Sequence, residues 1–236
     1  MTEHILRKDL KRDAVRDTLL DTGRAIATHE RTAAWIIGIA VVIALAFFGW
    51  KTYTDRQTVK AAALFSDALQ VYSGATQPPQ PGKLPPGPAE RVYADASEKF
   101  RQVALQYPHT RPGQLAHYYA ALSLEKLGKN DDARRWLEGM SRTRSSDFAA
   151  LAKFALAELD EQTGKGEDAA RLYQQIIDKP SVLIPKPVVM LALADYYSKT
   201  KPDDAVKLYN QVKSEYPDTP ASKQASQSLE LIAGKS

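Results

Sequence analysis

An all-α fold is predicted: one membrane-crossing helix, then a solenoid of about four helical hairpins closed by a capping helix. Two features of the 236-residue sequence predict it. The first is a repeat. Asp131-Asp132-Ala133-Arg134-Arg135-Trp136-Leu137, Glu167-Asp168-Ala169-Ala170-Arg171-Leu172-Tyr173 and Asp203-Asp204-Ala205-Val206-Lys207-Leu208-Tyr209 recur at a step of 36 residues. Stacked helical hairpins need a unit of that size, with an alanine where two helices touch. The second is the stretch Thr32 to Trp50, 19 residues without a charge, which spans roughly 28 Å as a helix and can cross a bilayer core.

Residues 1–31 form a charged segment. Leu6, Leu10 and Ala14, then Val15, Leu19 and Ile26, are spaced for an amphipathic helix with charges between them, and Gly23 bends or ends it. Residues 32–50 follow as the span, with Trp35 and Trp50 at its ends, Tyr53 just beyond, and Arg31 and Lys51 closing it. Ala44-Leu45-Ala46 has the small-x-small form that signal peptidase reads. The long charged region ahead of the apolar run, and the continuation through Phe47 and Phe48, favour an uncleaved anchor instead. Seven basic residues precede the span and three lie in the twenty residues after it, which puts the N-terminus in the cytoplasm and residues 51–236 outside it.

Beyond the span, Ala61, Leu64, Phe65, Ala68, Leu69 and Tyr72 give the apolar stripe of a helix over 58–72. Residues 77–88 then hold six of the fourteen prolines, a density that forbids helix and predicts an exposed insertion in the turn of the first hairpin. The second helix of that hairpin carries Ala96, Phe100 and Val103, and Ala96 precedes Ala133 by 37 residues. In the next two hairpins Ala121 and Ala157 each lie twelve residues before their partner alanine, with Gly128 and Gly164 in the turns, where a left-handed residue ends the first helix. In the last, Ala194 lies eleven before Ala205, and Lys201-Pro202 replaces the glycine turn. Thr219-Pro220, an N-cap and a first-turn proline, opens the capping helix through Leu229, Leu231 and Ile232.

Composition narrows the function. Residues 1–31 take seven basic and six acidic side chains, leaving 25 and 22 for the rest. That balance argues against a nucleic-acid footprint. The chain has no cysteine, hence no disulfide, thiolate metal site or thiol nucleophile. None of the four histidines, His4, His29, His109 and His117, pairs with another at the i, i+4 spacing of a helical zinc site, and no nucleophile or phosphate-loop motif is present. The acidic pairs that open each second helix are explained by the helix dipole. No catalytic, metal or cofactor site and no small-molecule substrate is expected; the expected partners are proteins.

Ala121, Gly128, Ala133 and Leu137, then Ala157, Gly164, Ala169 and Tyr173, then Ala194, Ala205, Tyr209 and Pro217, resemble the tetratricopeptide repeat over roughly residues 58–233. The family's first-helix tryptophan is missing. The wider arrangement is a short charged N-terminus, a span ending Phe48-Gly49-Trp50-Lys51-Thr52-Tyr53, and repeats starting almost at once. It resembles the YfgM-like ancillary SecYEG translocon subunits of the bacterial inner membrane. The turns Tyr107-Pro108-His109-Thr110 and Tyr216-Pro217-Asp218-Thr219 are similar to those of periplasmic repeat proteins in the Tol-Pal and outer-membrane assembly systems. The first resemblance implies a periplasmic adaptor or chaperone-like subunit that meets exported chains or chaperones beside the translocon. The second implies a structural scaffold of an envelope or division complex. The longer N-terminus and the proline insertion depart from the translocon family's usual pattern. In such stacks the first helix of each hairpin lines a concave groove. Counting from the aligned small residues places Tyr118, Leu122, Glu125, Phe154, Glu158, Glu161, Leu191 and Asp195 along it, a mixed surface suited to an apolar segment with basic residues.

Overall fold

The computed structural model describes residues 30–75 and 88–234. The segment 1–29 and the proline-rich insertion therefore lie outside the described residues. Among the described residues every regular element is a helix: α1 (Glu30–Gly74), α2 (Ala89–Gln106), α3 (Arg111–Lys126), α4 (Asn130–Ser141), α5 (Ser146–Gln162), α6 (Gly166–Asp178), α7 (Lys186–Thr200), α8 (Pro202–Glu215) and α9 (Pro220–Ala233). The chain divides into two compact units, Met1–Arg56 and Gln57–Ser236.

Helix α1 is one element of 45 residues, where the periodicity predicts two, over 32–50 and 58–72. Nothing in 51–57 stops a helix. The stretch has no proline or glycine, and adding residues to an existing helix costs far less than nucleating a new one. In its first part Trp35, Ile37, Val42, Phe47 and Trp50 are 50–74% exposed along with their apolar neighbours. This is the one helix among the described residues that is long and apolar enough to cross a membrane.

The second unit stacks four hairpins. The last part of α1 packs on α2 through Phe65 and Phe100, α3 packs on α4, α5 on α6 and α7 on α8, while α9 covers α8 and the edge of α7. The alanines of the repeat are the contact points. Ala96, Ala133, Ala157, Ala169, Ala194 and Ala205 are fully buried, because only a methyl group fits where two helix backbones approach. Ala61 and Ala68 do the same in α1, whose partly buried Phe65 and Tyr72 complete the stripe against Phe100. Gly128 and Gly164 have φ of 72° and 79°, as their turns require.

One buried charge pair ties the second hairpin to the third. Asp160 of α5 is 2% exposed, and its carboxylate accepts from the Arg134 guanidinium of α4. That hydrogen bond holds the guanidinium pKa above its ordinary value, against the burial that lowers it.

Two Tyr-Pro-x-Thr turns end α2 and α8 with the same threonine hydrogen bonds, although Asp218 in the second takes a left-handed φ of 62°. The Thr110 and Thr219 hydroxyls donate to the carbonyls of Tyr107 and Tyr216, at 3.0 and 2.7 Å. Each also accepts from the N–H three residues on, Gly113 and Ser222, capping the next helix. The first turn is the tighter, since a Cβ on Gly113 would overlap the Tyr107 carbonyl oxygen. Gly113→Ala should therefore lower stability by about 1 to 3 kcal/mol through overpacking against rigid backbone. Urea unfolding that matches the parent would show that the turn relaxes freely.

Candidate protein-binding surface

The small residues Ala121, Ala157 and Ala194 set the rotation of α3, α5 and α7, so the eight predicted groove residues fall into three repeated positions. The first, Tyr118, Phe154 and Leu191, turns into the packed interior. Tyr118 is half-buried against the clusters that join α3, α4 and α5. Phe154 packs on Tyr173 with ring centroids 5.6 Å apart. Leu191 is only 5% exposed and belongs to the cluster beneath α9, which withdraws it from the surface. A large apolar group one turn before the small alanine is drawn into the packed interior, where it loses more water contact.

The second position is Leu122, Glu158 and Asp195, and the third is Glu125 and Glu161. Leu122, Glu125, Glu161 and Asp195 are half-buried, and Glu158 is exposed. Across one repeat step, Gln162 Nε2 donates to Glu125 Oε1 at 3.1 Å. Within hairpins, the Tyr173 hydroxyl donates to Glu161 at 2.8 Å and the Tyr209 hydroxyl to Asp195 at 2.5 Å. The repeat's bulky tyrosine thus has two roles: its ring fills the hairpin core and its hydroxyl reaches the first-helix carboxylate.

Electrostatic coupling links these groups into one line. Burial, then the charges of Glu158 and Glu125, push the Tyr118 hydroxyl up to about 12. Burial, then the hydrogen bond to Glu161, push Tyr173 upward as well. Although Glu158 is exposed as a residue, partial desolvation of its carboxyl end, then Glu125 and Glu161, raise its pKa against the opposing Lys126. Among the described residues none of Glu125, Glu158, Glu161 and Asp195 forms an ion pair with a lysine or arginine.

At the α1 end the line meets a ring cluster that the sequence reading left out. Tyr72 contacts Tyr93 at 5.4 Å and Tyr119 at 5.7 Å, and Tyr119 stacks on Phe100 at 5.3 Å. The spacing of Tyr72 after Ala68 was the available signal, but pairing it with Tyr119 requires knowing that α1 and α3 are neighbours.

The raised Glu158 gives a signed pH effect. A carboxyl whose folded-state pKa lies above its unfolded value stabilises the fold at pH below both values, and that contribution is lost as pH rises through the folded value. Glu158→Gln should therefore raise the melting temperature at pH 7, with the gain over the parent shrinking as pH is lowered through the carboxylate range. A gain that does not change with pH would mean that the charge is irrelevant.

The histidines stand apart from this surface. His109 is exposed in its turn. The His117 Nε2–H donates to the Trp136 carbonyl at 2.8 Å, and burial lowers its pKa. His4 and His29 lie outside the described residues.

A family model described as a tetratricopeptide repeat-like domain matches residues 28–180, more than half of the chain, and a tetratricopeptide repeat model matches residues 189–219. The chain belongs to the tetratricopeptide repeat-like family. No curated protein and no solved structure matches it. In this tetratricopeptide repeat-like chain the family match starts ahead of the apolar stretch, so the long helix and the first hairpins fall within one family pattern. All-helical repeat folds of this family serve protein interaction, through the extended surface that stacked hairpins create.

Proposed function

We propose that the protein is a non-enzymatic, membrane-anchored adaptor that binds a basic segment of a partner protein along its first helices. The observation that carries this reading is the line of Leu122, Glu125, Glu158, Glu161 and Asp195, flanked by tyrosines and, among the described residues, without an ion-paired lysine or arginine. Carboxylates held beside one another, three of them half-buried, are relieved by an incoming cation. Leu122 and the exposed edges of Tyr118 and Phe154 supply apolar contact.

The anchor is α1 over residues 32–50, with residues 1–31 in the cytoplasm and 51–236 in the periplasm of a bacterial inner membrane. Its support is the exposed apolar surface of that helix and the excess of basic residues before it. The resemblance to YfgM-like subunits supports a place beside the protein-export translocon, where exported chains or periplasmic chaperones would be the partners.

Topology is tested by a reporter active only outside the cytoplasm. It should work when fused after Ser236 and fail when fused before Met1; the reverse pattern would invert the assignment. Binding is tested with the full chain in detergent and a fluorescent peptide alternating lysine and leucine. Affinity should fall steeply between low and physiological salt, because exposed charges are screened within a Debye length of about 8 Å. Salt-independent binding would remove the carboxylates from the interface.

A further inference from the structure

Successive hairpins are joined by connections of unequal length. Those at 107–110, 142–145 and 216–219 have four residues each, whereas α6 and α7 are joined by seven, 179–185. Four residues suffice to pass from one hairpin or capping helix to the next, so the longer connection has chain to spare. Ser181 Oγ accepts from the Ile184 N–H at 3.0 Å, which folds the spare chain into a turn with Val182 and Leu183 at its tip. The tip reaches back over the preceding hairpin. There the Val182 N–H donates to Asp147 Oδ1, in the first turn of α5, at 3.1 Å. Leu183, half-buried, packs on the cluster of Met140, Phe148 and Ala152, against which Leu115, Tyr118 and Leu151 also pack.

These contacts belong to the first-helix groove. Asp147, Leu151, Phe154, Glu158 and Glu161 follow one another at steps of four and three along α5, which puts them on one face of the helix. Arg111, Leu115, Tyr118, Leu122 and Glu125 stand 36 residues earlier and form the matching face of α3. The groove line from Tyr118 and Phe154 onward is therefore the later part of two longer stripes, and the turn lies at their amino-terminal ends. A hollow of about 380 Å³ remains beside it, walled by Arg111, Asp147 and Phe148 together with Val182 and Leu183. The turn is lightly held. Val182 is 86% exposed, and its bond to Asp147 is open to water. Leu183 is the side chain of the turn that reaches this cluster, while Ile184 packs on the next one, among α5, α6 and α7. A segment with few buried apolar contacts and an exposed backbone hydrogen bond opens at low free energy.

We infer that residues 179–185 form an autoinhibitory strap, which occupies the amino-terminal end of the first-helix groove with its own apolar side chain and N–H and leaves when a partner segment lies down there. The inference rests on the first-helix face being the partner site. The strap's contacts also state what displaces it, a segment in which an apolar residue stands beside a basic one. The apolar side chain takes the place of Leu183 on Phe148, and the cation takes the place of the Val182 N–H on Asp147. A lysine or arginine bonds a carboxylate more strongly than a neutral amide does, because both ends carry charge. Exchange of strap for partner is then favourable, while a neutral apolar segment gains nothing at Asp147 over the strap it must remove.

The test uses the full chain in detergent and the fluorescent peptide that alternates lysine and leucine. Leu183→Ser removes the anchoring side chain without altering charge, and deletion of residues 181–183 cuts the connection to the four residues of the others. Both variants should bind the peptide about tenfold more tightly than the parent, the gain on freeing a site that is open about a tenth of the time. In the parent itself, saturating peptide should speed hydrogen exchange at the Val182 amide, whose bond to Asp147 breaks as the strap leaves. That measurement needs no variant to fold. Val182 exchange left unaltered or slowed by bound peptide would overturn the strap, as would unchanged or weaker peptide binding by folded Leu183→Ser, and the first-helix groove would survive either result. Binding by neither the parent nor the variants would count against the groove itself, and the strap would fall with it.

Discussion

Arg134→Met is expected to destabilise the repeat domain by about 3 kcal/mol, because it strands the Asp160 carboxylate in the core without its partner. Asp160 is 2% exposed, whereas the Arg134 side chain keeps about a fifth of its surface in water. That residual access places the effect at the lower end of the range for broken buried pairs. The double change Arg134→Met with Asp160→Leu removes both charges and should recover most of the loss, since the desolvation cost disappears with the ions. Urea unfolding of the parent, single and double variants gives the comparison. A single variant within about 0.5 kcal/mol of the parent would place it among ordinary surface substitutions and show that the pair contributes nothing.

Ala169→Trp should have the second large effect. Ala169 is fully buried in the cluster shared by Tyr173, Ile176, Val189 and Leu193, so an indole there must separate α5 from α6 or displace α7. Overpacking of this kind costs about 1 to 3 kcal/mol, and each kcal/mol lowers the melting temperature of a domain this size by about 2 to 4 °C. Because each hairpin is held by the next, hydrogen exchange should quicken in α3, α4, α7 and α8 as well as in the altered hairpin. Deleting residues 79–86 should change the melting temperature far less. Equal losses from the two changes would mean that the alanine is no more central than the insertion.

The hairpin plan was legible because its determinants are local. Ala133, Ala169 and Ala205 are buried as their spacing requires, Gly128 and Gly164 take the left-handed turn, and Thr219 caps the terminal helix. The continuity of α1 through 51–57 was not legible, because periodicity reports which face is buried, and those residues are largely exposed. The pair Arg134–Asp160 spans 26 residues, and nothing in either helix alone says that the two side chains meet. The candidate surface was read in part. Counting from the small residues put Leu122, Glu125, Glu158, Glu161 and Asp195 on a common line. It also put Leu191 there, a position whose burial is decided by α9, an element 29 residues downstream at its start. The tyrosine hydroxyls of Tyr173 and Tyr209 were hidden for another reason: the repeat pattern asks only for bulk at those places, and their polar ends act on a different helix.

The central claim, that the first-helix face captures a protein partner at the membrane, is tested most directly by site-specific photocrosslinking in native membranes. A photoreactive residue is placed at Leu122 and, separately, at Val182, which is 86% exposed in the α6–α7 connection. The expected result is a discrete protein adduct from Leu122 that weakens as salt is raised, and none from Val182. No adduct from Leu122 in a folded, abundant protein would contradict the account, above all if Val182 yields one.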